Sequence, residues 1–307
     1  MLKLTKTNKL KTYNQTSFQS NPAPTMRTSY PAKVLLYGEH TVLRGGRGLA
    51  VPYPNLSLRW VKDRPDEQLL GFCDYLKVVI PADLLRTSDL EDFLLDDWRL
   101  TGDIPTGYGL GSSGAVCAAI WDRFATERGK ALAGEDLRQI LARMEQHFHG
   151  QSSGTDPLIC YLNRPVVLGG GQPPRITALP KDWQAGFFLY DTGIERSAAD
   201  FINRFTGRYD ADAAFARVVD QEWTAPADAA ILALIGGDRA ALWQHTARIA
   251  DFQGREFPDF IPDQLQDKWT DKGYVLKLCG AGGGGMMLGF ATDRRTTEAA
   301  LGRVAWL

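Results

Sequence analysis

The 307-residue chain is 44% hydrophobic and 23% charged, and its 35 Lys and Arg against 36 Asp and Glu leave a formal net charge of −1. That length supports a sizeable core and about two domains, and the even charge balance argues against a general nucleic-acid binder or a dedicated membrane-surface protein. No window reaches the ~18 consecutive apolar residues of a transmembrane helix, the Lys-, Thr- and Asn-rich start has no apolar stretch for a secretory signal, and Cys73, Cys117, Cys160 and Cys279 form no Cys-x-x-Cys pair.

These features together predict a cytoplasmic globular protein. Residues 1–26 are polar, carry Pro22 and Pro24, and show no period, so a flexible tail is expected. Apolar runs at 34–37, at 48–51 and at 56–61, separated by Gly-rich turns, predict strands. An alanine-rich helix is expected over 115–125, behind a Gly/Ser loop. Leu137, Ile140, Leu141, Met144 and Phe148 recur at helical spacing and predict an amphipathic helix over 135–148. Residues 161–168 read as a strand. After Gln172-Pro173-Pro174 the chain changes character: a short buried strand at 187–190, two or three helices between 197 and 249, then a strand, a Gly-rich turn and a strand over 274–278, 280–285 and 286–290. No internal repeat is present, and the composition shift puts a boundary near 172–185.

Five segments could carry chemistry. Gly109-Leu110-Gly111-Ser112-Ser113-Gly114 enters the alanine-rich helix. Such a loop lets backbone N–H groups converge on an anion at a helix N-terminus. It matches G-x-G-x-x-G literally, but a dinucleotide-binding loop must leave a hydrophobic strand, and this one follows the turn-rich 101–107; a ligand-free glycine entry to the helix is equally consistent. Gly150-Gln151-Ser152-Ser153-Gly154 contains G-x-S-x-G, yet it follows a helix rather than the strand a nucleophile elbow requires, leaving a tight turn that presents Asp156. His147 and His149 stand on opposing sides of their helix, which disfavours a shared metal. Glu145, at the edge of the apolar face, is either a snorkelling residue or a ligand for a hard cation. Lys33 opens an apolar strand that ends in Gly38-Glu39-His40, and Gly280 to Gly285 form a loop that permits close backbone approach.

In order and spacing these segments resemble the GHMP kinase superfamily and, within it, the mevalonate kinases. Lys33 through His40 is similar to the first motif of that family, Pro105 through Ala115 to its Gly-Leu-Gly-Ser-Ser phosphate loop, and Gly280 through Gly285 to its C-terminal glycine loop. His149-Gly150 followed by Ser153-Gly154-Thr155-Asp156 resembles the segment around the catalytic aspartate, with Glu145 where the family places a magnesium-binding glutamate. The resemblance covers roughly residues 30–291. It implies an α+β, two-domain GHMP kinase fold: after the tail, an N-terminal domain like ribosomal protein S5 domain 2 over 27–180 and a ferredoxin-like domain over 181–307.

It also implies an ATP- and Mg²⁺-dependent kinase for a small-molecule alcohol, the hydroxyl of mevalonate, with no nucleic-acid or membrane partner and room for a homodimer. By that resemblance Asp156 takes the hydroxyl proton and Lys33 polarises the hydroxyl and neutralises the transferred phosphoryl. Gly109, Leu110, Gly111, Ser112 and Ser113, with Gly282 and Gly283, cradle the nucleotide phosphates. Ser113 and Glu145 hold Mg²⁺, and Glu39, His40 and Ser153 lie near the acceptor. A kinase for another acceptor (phosphomevalonate or a sugar) and a non-catalytic nucleotide-binding paralogue are the alternatives. Three positions depart from the family pattern: Ala32 replaces a glycine, Ser152 a proline, and Gly114 an alanine.

Overall fold

A computed structural model describes residues 27–195 and 198–307; the tail expected over 1–26 lies outside the described residues. The chain opens with strand β1 (Tyr30–Tyr37), buried along nearly its whole length. Three helices pack against it, and its side chains are buried on both faces, which is why its sequence is a continuous apolar run rather than an alternation. A 3₁₀ turn (Thr41–Arg44) leads into β2 (Arg47–Lys62), a single 16-residue strand that takes in both apolar runs expected separately at 48–51 and 56–61. Pro52 and Pro54 do not break it: Pro54 falls in a register shift of the pairing with β1, between Tyr53 and Ser57, while Pro52 stays in register opposite Lys33.

Next come α1 (Glu67–Val79), α2 (Thr87–Leu95), β3 (Trp98–Gly102), α3 (Ser112–Phe124), α4 (Glu127–Lys130), α5 (Gly134–His149), α6 (Thr155–Leu162), β4 (Val166–Gly169) and β5 (Arg175–Ile176). β1, β2, β4 and β5 lie side by side in an antiparallel sheet, and β3 pairs with the distal half of β2. The strand expected at 161–168 is corrected. Its first two residues close α6, which Gly154 opens and Asn163 ends in left-handed conformations (φ 70° and 49°), and only β4 is extended. Pro157 sits in the first turn of α6, where a missing N–H costs nothing.

The remainder runs β6 (Phe187–Asp191), α7 (Ala198–Ala211), α8 (Ala213–Val219), a π turn (Asp220–Thr224), α9 (Ala225–Gly236), α10 (Arg239–Glu256), a 3₁₀ turn (Pro258–Phe260), α11 (Asp263–Gln266), β7 (Tyr274–Leu278), β8 (Met286–Ala291), α12 (Arg294–Leu301) and β9 (Ala305–Trp306). The helical stretch is therefore cut more finely than the two or three helices expected. Asp212 caps α8 by accepting from the Ala214 and Phe215 N–H groups, and left-handed Gly237 with Asp238 separates α9 from α10. The second sheet is antiparallel in the order β7-β8-β6-β9. With helices between β6 and β7 and between β8 and β9, this is the ferredoxin-like βαββαβ arrangement. One contiguous apolar core runs through both sheets, and among the described residues no helix is long and apolar enough to cross a membrane.

Candidate active site

Lys33 lies mid-way along β1, and the chain folds the glycine loop directly over it. The Lys33 N–H donates to the Leu110 carbonyl at 2.9 Å, buried Leu110 anchors the loop, and a Cβ at Gly111 would stand 3.0 Å from Lys33 Cγ. Gly111 takes φ 75° and, among the described residues, no side chain caps α3 behind it, so the first N–H groups of α3 are left for another acceptor. Lys33 Nζ sits 3.0 Å from Asp156 Oδ1, with the lysine 7% and the aspartate 32% exposed. Burial opposes the lysine's charge, but the Asp156 carboxylate beside it more than compensates and holds the ammonium above its ordinary pKa. Asp156 is in the first turn of α6, at the end of a helix that favours negative charge.

Glu145 is on the buried face of α5 and only 5% exposed, so it does not snorkel. Its Oε1 accepts from the Ser113 hydroxyl at 2.9 Å and its other oxygen from the Ser152 hydroxyl. Burial, with the Asp156 charge nearby, pushes its carboxyl up to about 7 against the hydrogen bonds that favour ionisation. His149 Nε2 lies 3.0 Å from Ser113 Oγ, whereas His147 stacks on Phe72. Among the described residues no group of three or more His, Cys, Asp or Glu side chains could enclose a metal. One carboxylate and a hydroxyl side by side fit Mg²⁺, which takes few protein ligands and completes its shell with phosphates and water.

Gly280 to Gly285 link β7 to β8 and reach the first loop. A Cβ at Gly285 would lie 2.8 Å from the Tyr108 carbonyl oxygen. The Gly285 and Gly283 N–H groups are taken by the Ile194 and Phe260 carbonyls, at 2.7 Å each, so this loop is held as much by its neighbours as by any ligand. Glu39 and His40 are drawn into other contacts. Glu39 is buried and meets Lys277 Nζ at 2.5 Å, with the Gln253 amide donating to the same oxygen at 3.1 Å. His40 Nε2 donates to Ala281 O at 3.0 Å, and its ring lies against Phe205 and Phe260. The Ser153 hydroxyl accepts from the Thr155 N–H at 3.3 Å and so shapes the turn before Asp156.

Residues 82–164 match the family model of the GHMP kinase N-terminal domain. Solved structures of GHMP kinases superpose along most of the chain. Mevalonate kinase of L. major, in complex with R-mevalonate, gives a TM-score of 0.60 at 18% identity, over 93% of this chain and 97% of that one. The chain has the GHMP kinase fold. Streptococcus pneumoniae phosphomevalonate kinase, with phosphomevalonate and AMPPNP, superposes on this chain at a TM-score of 0.62, 15% identity, over 91% of this chain and 98% of that one. At these identities the likeness is one of fold. In sequence, mevalonate kinase of Archaeoglobus fulgidus is 31% identical over 142 residues, 44% of this chain and 49% of that protein; the match thus spans about half the length of that relative.

Sequence motifs singled out Lys33, Asp156, Ser113 and Glu145 without showing the Lys33–Asp156 and Ser113–Glu145 contacts. They missed Ser152 and His149 as partners of Glu145 and Ser113. His149 was within reach of pattern reasoning, since it stands four residues after Glu145 on one helix face; Ser152, beyond the helix end, was not.

Proposed function

We propose that the chain is an ATP-dependent kinase that transfers the γ-phosphoryl group to an alcohol, the hydroxyl of mevalonate. The observation that carries this reading is the Lys33–Asp156 pair at 3.0 Å, set beneath a glycine loop and an uncapped helix N-terminus. A pure nucleotide binder needs the loop and the helix end but has no use for a paired base. In this reading the phosphates of ATP lie on the Gly109–Ser113 backbone and the α3 N-terminus, with Gly282 and Gly283 closing the other side. Asp156 accepts the acceptor's hydroxyl proton. Lys33 holds Asp156 in place and offsets negative charge developing on the transferred group, so rate comes from positioning and electrostatics.

Ser113 and Glu145 would hold Mg²⁺, with Ser152 and His149 orienting them; when bound, the ion neutralises phosphate charge. Glu39, held by Lys277 and Gln253, and His40, bonded to Ala281 of the glycine loop, fix the turn after β1 on the acceptor side, and Ser153 shapes the approach to Asp156. The named relatives support mevalonate as the acceptor. The test is ADP release by the purified chain with mevalonate, phosphomevalonate, galactose, homoserine or no acceptor. Mevalonate-dependent release that Lys33→Met abolishes is the expected result. Release with a different acceptor alone would refute the acceptor, and no release with any would refute the transfer.

A further inference from the structure

A concavity of about 550 Å³ opens where β8 ends and α10 begins. It is built from none of the loops of the candidate active site, and its volume falls in the roughly 300–1,000 Å³ range of small-molecule pockets. Its walls include Trp243, Trp306 and Phe290, with Arg239 and Arg294 facing the same space, and no Asp or Glu side chain lines it.

Leu307, the last residue of the sequence, also lines the cavity, and Arg239 reaches it from α10. Its guanidinium donates to the Ala185 carbonyl and lies 5.1 Å from the Phe290 ring centroid, and it forms no ion pair among the described residues. It also occupies the first turn of α10, where the helix dipole disfavours a cation. Gly186 keeps this corner open: a Cβ there would stand 2.5 Å from the Ala291 carbonyl oxygen and 3.2 Å from the Arg239 guanidinium nitrogen. Arg294 lies 4.8 Å from the Trp306 ring centroid. Its one carboxylate partner, Glu298 at 2.9 Å, is in an exposed pair that holds it weakly.

We propose that this cavity binds a small amphipathic anion, with a carboxylate or phosphate head on Arg239 and Arg294 and a flat apolar body between Trp243 and Trp306. Guanidinium N–H pairs match the geometry of both heads, and indole rings offer rigid apolar area at low entropic cost.

Calorimetric titration of the full chain with 2-naphthoate and 2-naphthyl phosphate, and with neutral 2-naphthamide, tests this. The naphthyl anions should bind one site with Kd below roughly 1 mM, and the amide about tenfold more weakly or worse. Whichever anion binds tighter identifies the head. Arg239→Gln should weaken the anions about tenfold while leaving the amide unchanged; because it also removes the bond to Ala185, the exposed Arg294→Gln provides the same test with less risk to folding. Binding should be indifferent to saturating ATP and to Lys33→Met. Displacement by ATP, full affinity in both arginine variants, or no binding at millimolar probe would each overturn the proposal.

Discussion

Gly114 occupies the first turn of α3, and a Cβ built there would lie 2.7 Å from both the Asp156 carbonyl carbon and the Pro157 nitrogen. Both atoms are backbone, so no flexible side chain can yield. Gly114→Ala therefore overpacks the α3–α6 contact, a cost of about 1–3 kcal/mol, while the better helix propensity of alanine returns at most about 1 kcal/mol. The net expectation is a loss of roughly 1 kcal/mol, about fivefold in the unfolding equilibrium. Gly71 in α1 is the matched control: a Cβ there meets nothing within 4 Å, so Gly71→Ala keeps only the propensity gain. Urea denaturation at unchanged m separates the two variants. Relief of the overpacking also moves Asp156 relative to Lys33, and a displacement of about 1 Å costs up to ~10²-fold in rate. Turnover should thus fall in Gly114→Ala and not in Gly71→Ala. A Gly114→Ala protein with the parent's stability and turnover would show that α6 gives way freely, and that its packing on α3 is not what places the carboxylate.

Three further outcomes are expected. Asp156→Asn should lower turnover by about 10²–10⁴ while calorimetry still detects Mg·ATP; normal turnover would remove Asp156 from the chemistry. Because burial raises the Glu145 carboxyl from 4.5 to about 7, its stabilising contribution in the metal-free protein is complete below the lower value and is lost as pH rises through the upper one. Unfolding free energy should accordingly fall between those pH values in the parent relative to Glu145→Gln, and parallel curves for the two proteins would contradict the assignment. Lys277→Met should cost about 3–5 kcal/mol by leaving the Glu39 carboxylate buried without its cation, with the Glu39→Gln/Lys277→Met double variant recovering much of the loss in denaturant melts; an equal loss in both would mean the pair is not coupled.

The parts of the site that were legible before folding are those written in short, local patterns: Lys33 before its apolar run, the two glycine loops, the turn that presents Asp156, and four of the five apolar positions of α5, Phe148 being exposed. Helices α1 and α2 were not anticipated, although Asp66, which accepts from the Leu69 N–H, is an ordinary cap with Leu69, Phe72, Cys73 and Leu76 behind it at helical spacing. The misreading at 161–168 came from an apolar run too short to separate a helix end from a strand. Glu145 was placed at the edge of a face because its partners were invisible: Ser113 is 32 residues away and was not known to be within reach. The Glu39–Lys277 contact could not be read at all, because nothing in either local sequence specifies the other.

That contact has a consequence for how the molecule can be divided. Glu39 belongs to the turn after β1, while Lys277 is on β7 and Gln253 on α10, so the ion pair bridges the first sheet and the second. A chain split between β5 and β6 would separate an acid from the base that neutralises it, leaving each fragment to hydrate or bury a lone charge. The halves are therefore expected to be poor independent folders and good partners for complementation: co-expressed, each carries the counter-ion the other lacks.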